Sequence, residues 1–122
     1  MDRVQVIQHK GKEIVFLDFT RIDRKNRNIL RGIIDEAKNI IKAKPHGSVL
    51  TLVDVTGLVF NIEVVESFKD FTAHNKPYVK AGAVVGITGL QEIAYKAVMK
   101  FSGRHLPIFH SLEQAKDWLA IQ

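Results

Sequence analysis

The chain has no cysteine, only three prolines and a single tryptophan. Without cysteine there is no disulfide, no thiolate metal site and no thiol nucleophile, and a reducing compartment is the natural setting. No apolar run approaches the roughly 20 residues that a membrane-spanning helix needs. The opening MDRVQVIQHK also lacks the apolar centre of a secretory leader. The expected location is therefore the cytoplasm, with no transmembrane segment. Aromatic residues make up only 8% of the chain and do not interleave with the basic ones. A stacking platform for bases is missing, and nucleic acid is not an expected partner.

What remains is ordinary for a folded domain: 122 residues, 46% hydrophobic and 25% charged. A single domain over residues 1–122 is expected, burying roughly two thirds of the unfolded surface. The net charge of +5 is local. Between residues 21 and 44, Arg21, Arg24, Lys25, Arg27, Arg31, Lys38, Lys42 and Lys44 face only Asp23, Asp35 and Glu36. Such a stripe attracts acidic partners or anionic surfaces, but a solvated helix face is the plainer reading.

Periodicity supplies the elements. Val4–Gln8 alternates as a strand, Gly11 sits in a turn, and Glu13–Phe19 makes the second arm of a hairpin. Asp23 is placed to cap a helix whose Ile29, Leu30, Ile33, Ile34, Ala37, Ile40 and Ile41 recur every three or four residues. Ser48–Val55 reads as a strand, followed by a helix capped by Asn61 and carrying Val64, Val65, Phe68 and Phe71. Val79–Ile87 is almost continuously apolar, as a strand covered on both faces would be. Thr88 should cap a third helix with Ile93, Ala94, Ala97, Val98 and Phe101 inward, ending at Gly103. Pro107–Phe109 is a short strand, and Ser111 opens a last helix with Leu112, Ala115, Trp118 and Leu119 inward. The order β-β-α-β-α-β-α-β-α specifies an α/β domain: a mixed, mostly parallel five-stranded sheet with an antiparallel N-terminal edge strand and four helices.

One junction recurs. Val53-Asp-Val-Thr-Gly-Leu58 returns as Val85-Gly-Ile-Thr-Gly-Leu90, each time between an apolar strand and a helix. Such turns lie at the carboxyl edge of the sheet, where open α/β folds place ligands. Threonine hydroxyls cap helix amides, glycine permits a tight turn, and free amides at a helix start favour anions. On residues alone, capping outweighs phosphate binding, because Thr-Gly is common turn chemistry.

The run SVLTLVDVTGLVFNIEVVESFKDFTAHNKPYVKAGAVVGITGL, with FSGRHLPIFHSLEQAKDWL after it, resembles the SpoIIAA-like family, small proteins often labelled STAS/SEC14 domain proteins. The likeness covers roughly residues 13 to 119. It implies a turned β-α superhelix with strands in sequential order, making the two Thr-Gly turns neighbours. In family members that antagonise anti-sigma factors, a partner kinase phosphorylates the residue before the glycine of an Asp-Ser-Ser-Gly-Leu-type motif. Asp54, Gly57 and Leu58 match that motif and put Thr56 at the phosphoacceptor position, whereas Val55 departs from it. The resemblance thus implies a non-enzymatic regulatory domain with Thr56 as phosphoacceptor. Asp54, Gly57, Leu58, Asn61, Thr88 and Gly89 would form its partner- or anion-binding edge. The expected partner is a protein of the anti-sigma or kinase type, or another signalling protein. A small lipid-like ligand or a second copy of the chain is the alternative.

Other residue sets point nowhere definite. The five histidines match no metal-ligand spacing, and no metal or cofactor is expected. Asp18 and Asp54 end neighbouring strands and could pair for acid-base work, but no nucleophile or cofactor motif accompanies them. Arg104 and His105 are placed near the same edge.

Overall fold

In the computed structural model, which describes residues 2–122, a hairpin of β1 (Val4–His9) and β2 (Lys12–Asp18) leads into α1 (Arg27–Lys42). Then follow β3 (Val49–Asp54), α2 (Ile62–Asn75), β4 (Val79–Val85), α3 (Gly89–Ser102), β5 (Ile108–Phe109) and α4 (Leu112–Ala120). The strands stand in one sheet in sequence order. β1 is antiparallel to β2 and every other neighbouring pair is parallel. Each β-α-β crossover therefore moves the chain over by one strand, so the carboxyl ends of β2, β3 and β4 are neighbours. This is the expected α/β arrangement.

The period-two alternation of the strands divides the core into two layers. Val15 and Leu17 of β2 and Val84 of β4 face α1 and α2, together with Leu30, Ile33, Ile34, Ala37 and Ile41 of α1. Phe19 and Phe68 meet edge to face there, with ring centroids 5.1 Å apart. On the opposite face, Ile14, Leu50, Leu52, Ala83 and Val85 are covered by Ala115 and Leu119 of α4. The second half of β4 is thus buried from both sides, as its apolar run predicts.

Three expectations need correction. Asp23 caps a 3-10 turn (Arg24–Asn26) by accepting from Lys25 N–H at 2.9 Å, and α1 starts only at Arg27. Ile29 lies outside the core, 40% exposed. The largest revision concerns α3. Ile93, Ala97 and Phe101 are exposed; Val98 is buried as expected, and Tyr95, Met99 and Ser102 rather than those three share its inward face. The helix leans on α2 with a cavity between it and the sheet, so its packing face is rotated from the one that its aliphatic spacing suggests.

The basic segment proves to be a solvated helix face tied down by acids. Arg27 and Arg31 hold Glu63 at 3.1 and 3.0 Å, Lys38 holds Asp70 at 2.5 Å and Lys44 holds Glu13 at 2.9 Å. Surface pairs of this kind contribute about 0–1 kcal/mol each. Their effect here is to fix α1 against α2 and the hairpin.

Candidate functional site at the carboxyl edge of the sheet

Asp18, Asp54 and Val85 stand level across β2, β3 and β4. Just beyond them the chain keeps sheet-like bonds: Phe19 N–H to Asp54 O at 2.9 Å, Arg21 N–H to Thr56 O at 3.0 Å and Val55 N–H to Val85 O at 2.9 Å. The corners after β2 and β3 are built alike. The Thr56 amide and hydroxyl both donate to Asp54 Oδ1, at 3.0 and 2.7 Å. Likewise the Thr20 amide and hydroxyl donate to Asp18 Oδ1, at 2.9 and 2.6 Å. An aspartate accepting from the residue two positions on is a self-contained turn. Asp18 and Asp54 are therefore turn-forming carboxylates. The repeat Asp18-Phe19-Thr20 and Asp54-Val55-Thr56 was readable in the sequence and is the truer structural repeat.

The Thr-Gly-Leu corners after β3 and β4 are neighbours but not equivalents. Val53 lies level with Val84, so the second copy runs one residue out of step. Gly86 absorbs the difference at φ +95°. A Cβ built on it would fall 2.5 Å from Thr56 N and 2.8 Å from Thr56 Cα. The Thr56 turn thus rests directly on the backbone of the next strand.

Past that point the corners are joined by one side chain. Thr88 N–H and hydroxyl donate to Gln91 Oε1 at 2.9 and 3.2 Å, and Gln91 Nε2 donates to Leu58 O at 2.8 Å. Asn61 Oδ1 accepts from Val64 N–H at 2.8 Å and caps α2. The amides of Thr56 and Thr88, expected to face an anion, are therefore engaged by Asp54 and Gln91. Among the residues singled out in the sequence, Thr56, Gly57, Thr88 and Gly89 are exposed, Asn61 is half-buried, and Asp54 and Leu58 are buried. Gly57 lies against the aliphatic stem of Arg21.

Around these corners the surface is unexpectedly apolar. Leu90 is 95% exposed, Ile62 83%, Ile93 80% and Val59 42%. All four stand in the loop before α2 or within the opening turns of α2 and α3. Sequence reasoning read Ile93 as core and passed over Ile62. The available signal was an aliphatic residue immediately after a helix cap, a position that seldom reaches a core.

Beneath α3 lies a cavity of about 50 Å3, walled mainly by aliphatic and aromatic side chains of the sheet, α2 and α3. Arg104, which sequence reasoning placed near the loop edge, lines this cavity instead. Burial pushes its pKa below the usual value, with the nearby Tyr95 phenol a smaller opposing influence. The Tyr95 hydroxyl donates to the Leu106 carbonyl, and burial pushes its pKa up to about 12.

On the far side of the sheet, His9, Glu113 and Asp117 bring their ligand atoms within 4.8 Å of one another. His9 Nε2 sits 2.7 Å from Asp117 Oδ1 and Lys10 Nζ 2.9 Å. Hydrogen bonds from His9 and Lys10 hold the Asp117 carboxyl below the usual carboxylate range. Lys10 pairs with Asp117 and Lys116 with Glu113 at 3.5 Å, so each carboxylate already has a cation, and the cluster acts as a clip between the hairpin and α4.

No family model matches the chain, and no curated protein matches it. Among solved structures, it is similar to an uncharacterised protein of the DUF3478 family from Shewanella loihica PV-4, described as having a SpoIIAA-like fold. The two share 17% identity with a TM-score of 0.65, over 95% of this chain and 91% of that one. The likeness establishes the SpoIIAA-like fold that the sequence resemblance implied. No helix among the described residues is long and apolar enough to cross a membrane.

Proposed function

We propose that this is a non-enzymatic interaction domain that docks a signalling protein, of the anti-sigma or kinase type, on the loops after β3 and β4. The observation that carries this reading is the exposure of Ile62, Leu90 and Ile93 in the opening turns of α2 and α3, the two helices that follow the Thr-Gly corners. Exposed apolar groups gathered at one end of a fold mark interaction surfaces, whereas isolated ones need no explanation. Thr56 is the control point. Thr56 is exposed and its hydroxyl donates to Asp54, and a phosphate there would replace that donor with about −1.5 to −2 charges beside a carboxylate. The Thr56 turn would open, and the surface next to it would change shape and sign.

The test is recovery of partners from the protein's own cell extract with wild-type protein, Thr56→Ala, Thr56→Glu and Leu90→Asp. Wild type and Thr56→Ala retain the same partner, Thr56→Glu loses at least tenfold of it, and Leu90→Asp loses it altogether. Equal recovery by all four would overturn the reading.

A second reading, a small apolar or lipid-like ligand, is favoured by the cavity under α3. Its lining is chiefly apolar, and α3 reaches the sheet only across it. Pockets for small molecules are commonly apolar with a few placed polar groups.

A further inference from the structure

We propose that the docked partner presents an amphipathic helix with acidic residues at one end, laid along the outer face of α3. This rests on the docking reading above and names the chemistry of the partner's segment.

α3 is apolar on two opposite faces. Its inner face, with Tyr95, Val98 and Met99, packs into the core. At 3.6 residues per turn, Leu90, Ile93, Ala97 and Phe101 fall within about a quarter of the circumference on the other side. All four are exposed, Phe101 by 62%. A surface helix ordinarily turns charged residues to water, whereas one that is apolar all round is a buried helix. The outer stripe of α3 therefore lacks a packing layer. It follows the helix axis for about 16 Å, with the three- and four-residue spacings that form a ridge. Such a ridge fits the groove of another helix, whose own apolar residues recur at the same spacing.

The charges around the stripe decide what flanks that helix. Glu92 pairs with Lys96 at 3.3 Å and Glu66 with Lys69 at 3.4 Å. Lys69 Nζ also stands 5.2 Å from the centroid of the Phe101 ring. These acids are matched by their own lysines. Lys76 and Lys100 are exposed, and among the described residues neither takes part in an ion pair. Lys100 adjoins Phe101, and Lys76 Nζ lies 2.9 Å from where a Cβ on Gly103, the residue ending α3, would stand. The stripe is thus apolar along its length and positive at its C-terminal end. Carboxylates on the partner at that end complement it, and cations there are repelled.

A second copy of the chain is the poorer occupant. Antiparallel two-fold pairing of the stripes sets Lys96 against its own counterpart near the axis. It also leaves Lys76 and Lys100 without carboxylates, because Glu92 stands about 200° round the helix from Leu90.

The probes are two helical peptides of about four turns that share one leucine-isoleucine stripe, with glutamates at one end in the first and lysines there in the second. Each is titrated into the full chain. The glutamate peptide should bind at least about tenfold tighter, and salt should weaken it. The double variant Lys76→Glu, Lys100→Glu should reverse the preference, and Leu90→Asp should abolish binding of both. Equal binding of the two peptides, or of neither, would overturn the acidic helix. So would a wild-type dimer that Leu90→Asp dissociates, or sedimentation with phosphatidylglycerol vesicles in place of peptide binding. The docking reading itself stands or falls separately, on whether Leu90→Asp loses the partner from cell extract.

Discussion

Gly86 shows how closely this edge is assembled. Its left-handed backbone and the contact with Thr56 act together, so a methyl group is both strained and obstructed. Gly86→Ala should lower stability by about 3 kcal/mol, combining strain at a positive φ with overpacking against main chain. Urea unfolding would measure this, and a loss below about 1 kcal/mol would mean that the Thr56 turn can move aside. Single residues were unevenly legible. Asn61 as a cap follows from its type and position, and the Asp-x-Thr turns follow from a motif written twice. The partner of Thr88 was harder to foresee. Gln91 reaches across to Leu58 only because the two corners are brought side by side by distant pairing.

Among the elements, α3 is the one whose role had to be seen. Its sequence offers two apolar stripes, one through Ile93, Ala97 and Phe101 and another through Tyr95, Val98 and Met99. Local spacing does not choose between them. The choice is made by α2, against which α3 packs, and by the cavity, which removes the need to bring Ile93 down onto the sheet. Strands and the amphipathic α1 were readable because their periods are unambiguous and their buried faces meet the sheet directly. Gln91 is the link between α3 and the neighbouring loop. Gln91→Ala removes the bonds to Thr88 and Leu58 and should cost about 1–2 kcal/mol. Hydrogen exchange should then quicken in the first turn of α3, with α2 protected as before. Equal quickening in both helices would indicate that the loops move as one block and that Gln91 is not the particular tie.

At the scale of the whole molecule, sequential strand order has the widest consequence. It places three strand ends next to one another, and their corners lean on one another through Phe19, Arg21 and Val55. The same order puts α1, α2 and α3 on one face and leaves α4 alone on the other. The fold was legible because alternation of helices and strands restricts topology severely. The proposed docking surface was only half legible: the Thr-Gly corners pointed to that edge, while the exposed aliphatic residues became visible once the packing of α2 and α3 was known. A photo-crosslinking amino acid placed at Leu90 tests the docking surface most directly, with the same group at Ile121 as control. Ile121 is also 80% exposed, and it follows α4 on the far face. Irradiated in its own cell extract, the Leu90 protein should give a discrete adduct with a second protein that the Ile121 protein does not give. Matching adducts from both positions, or none from Leu90, would contradict a docking surface at this edge.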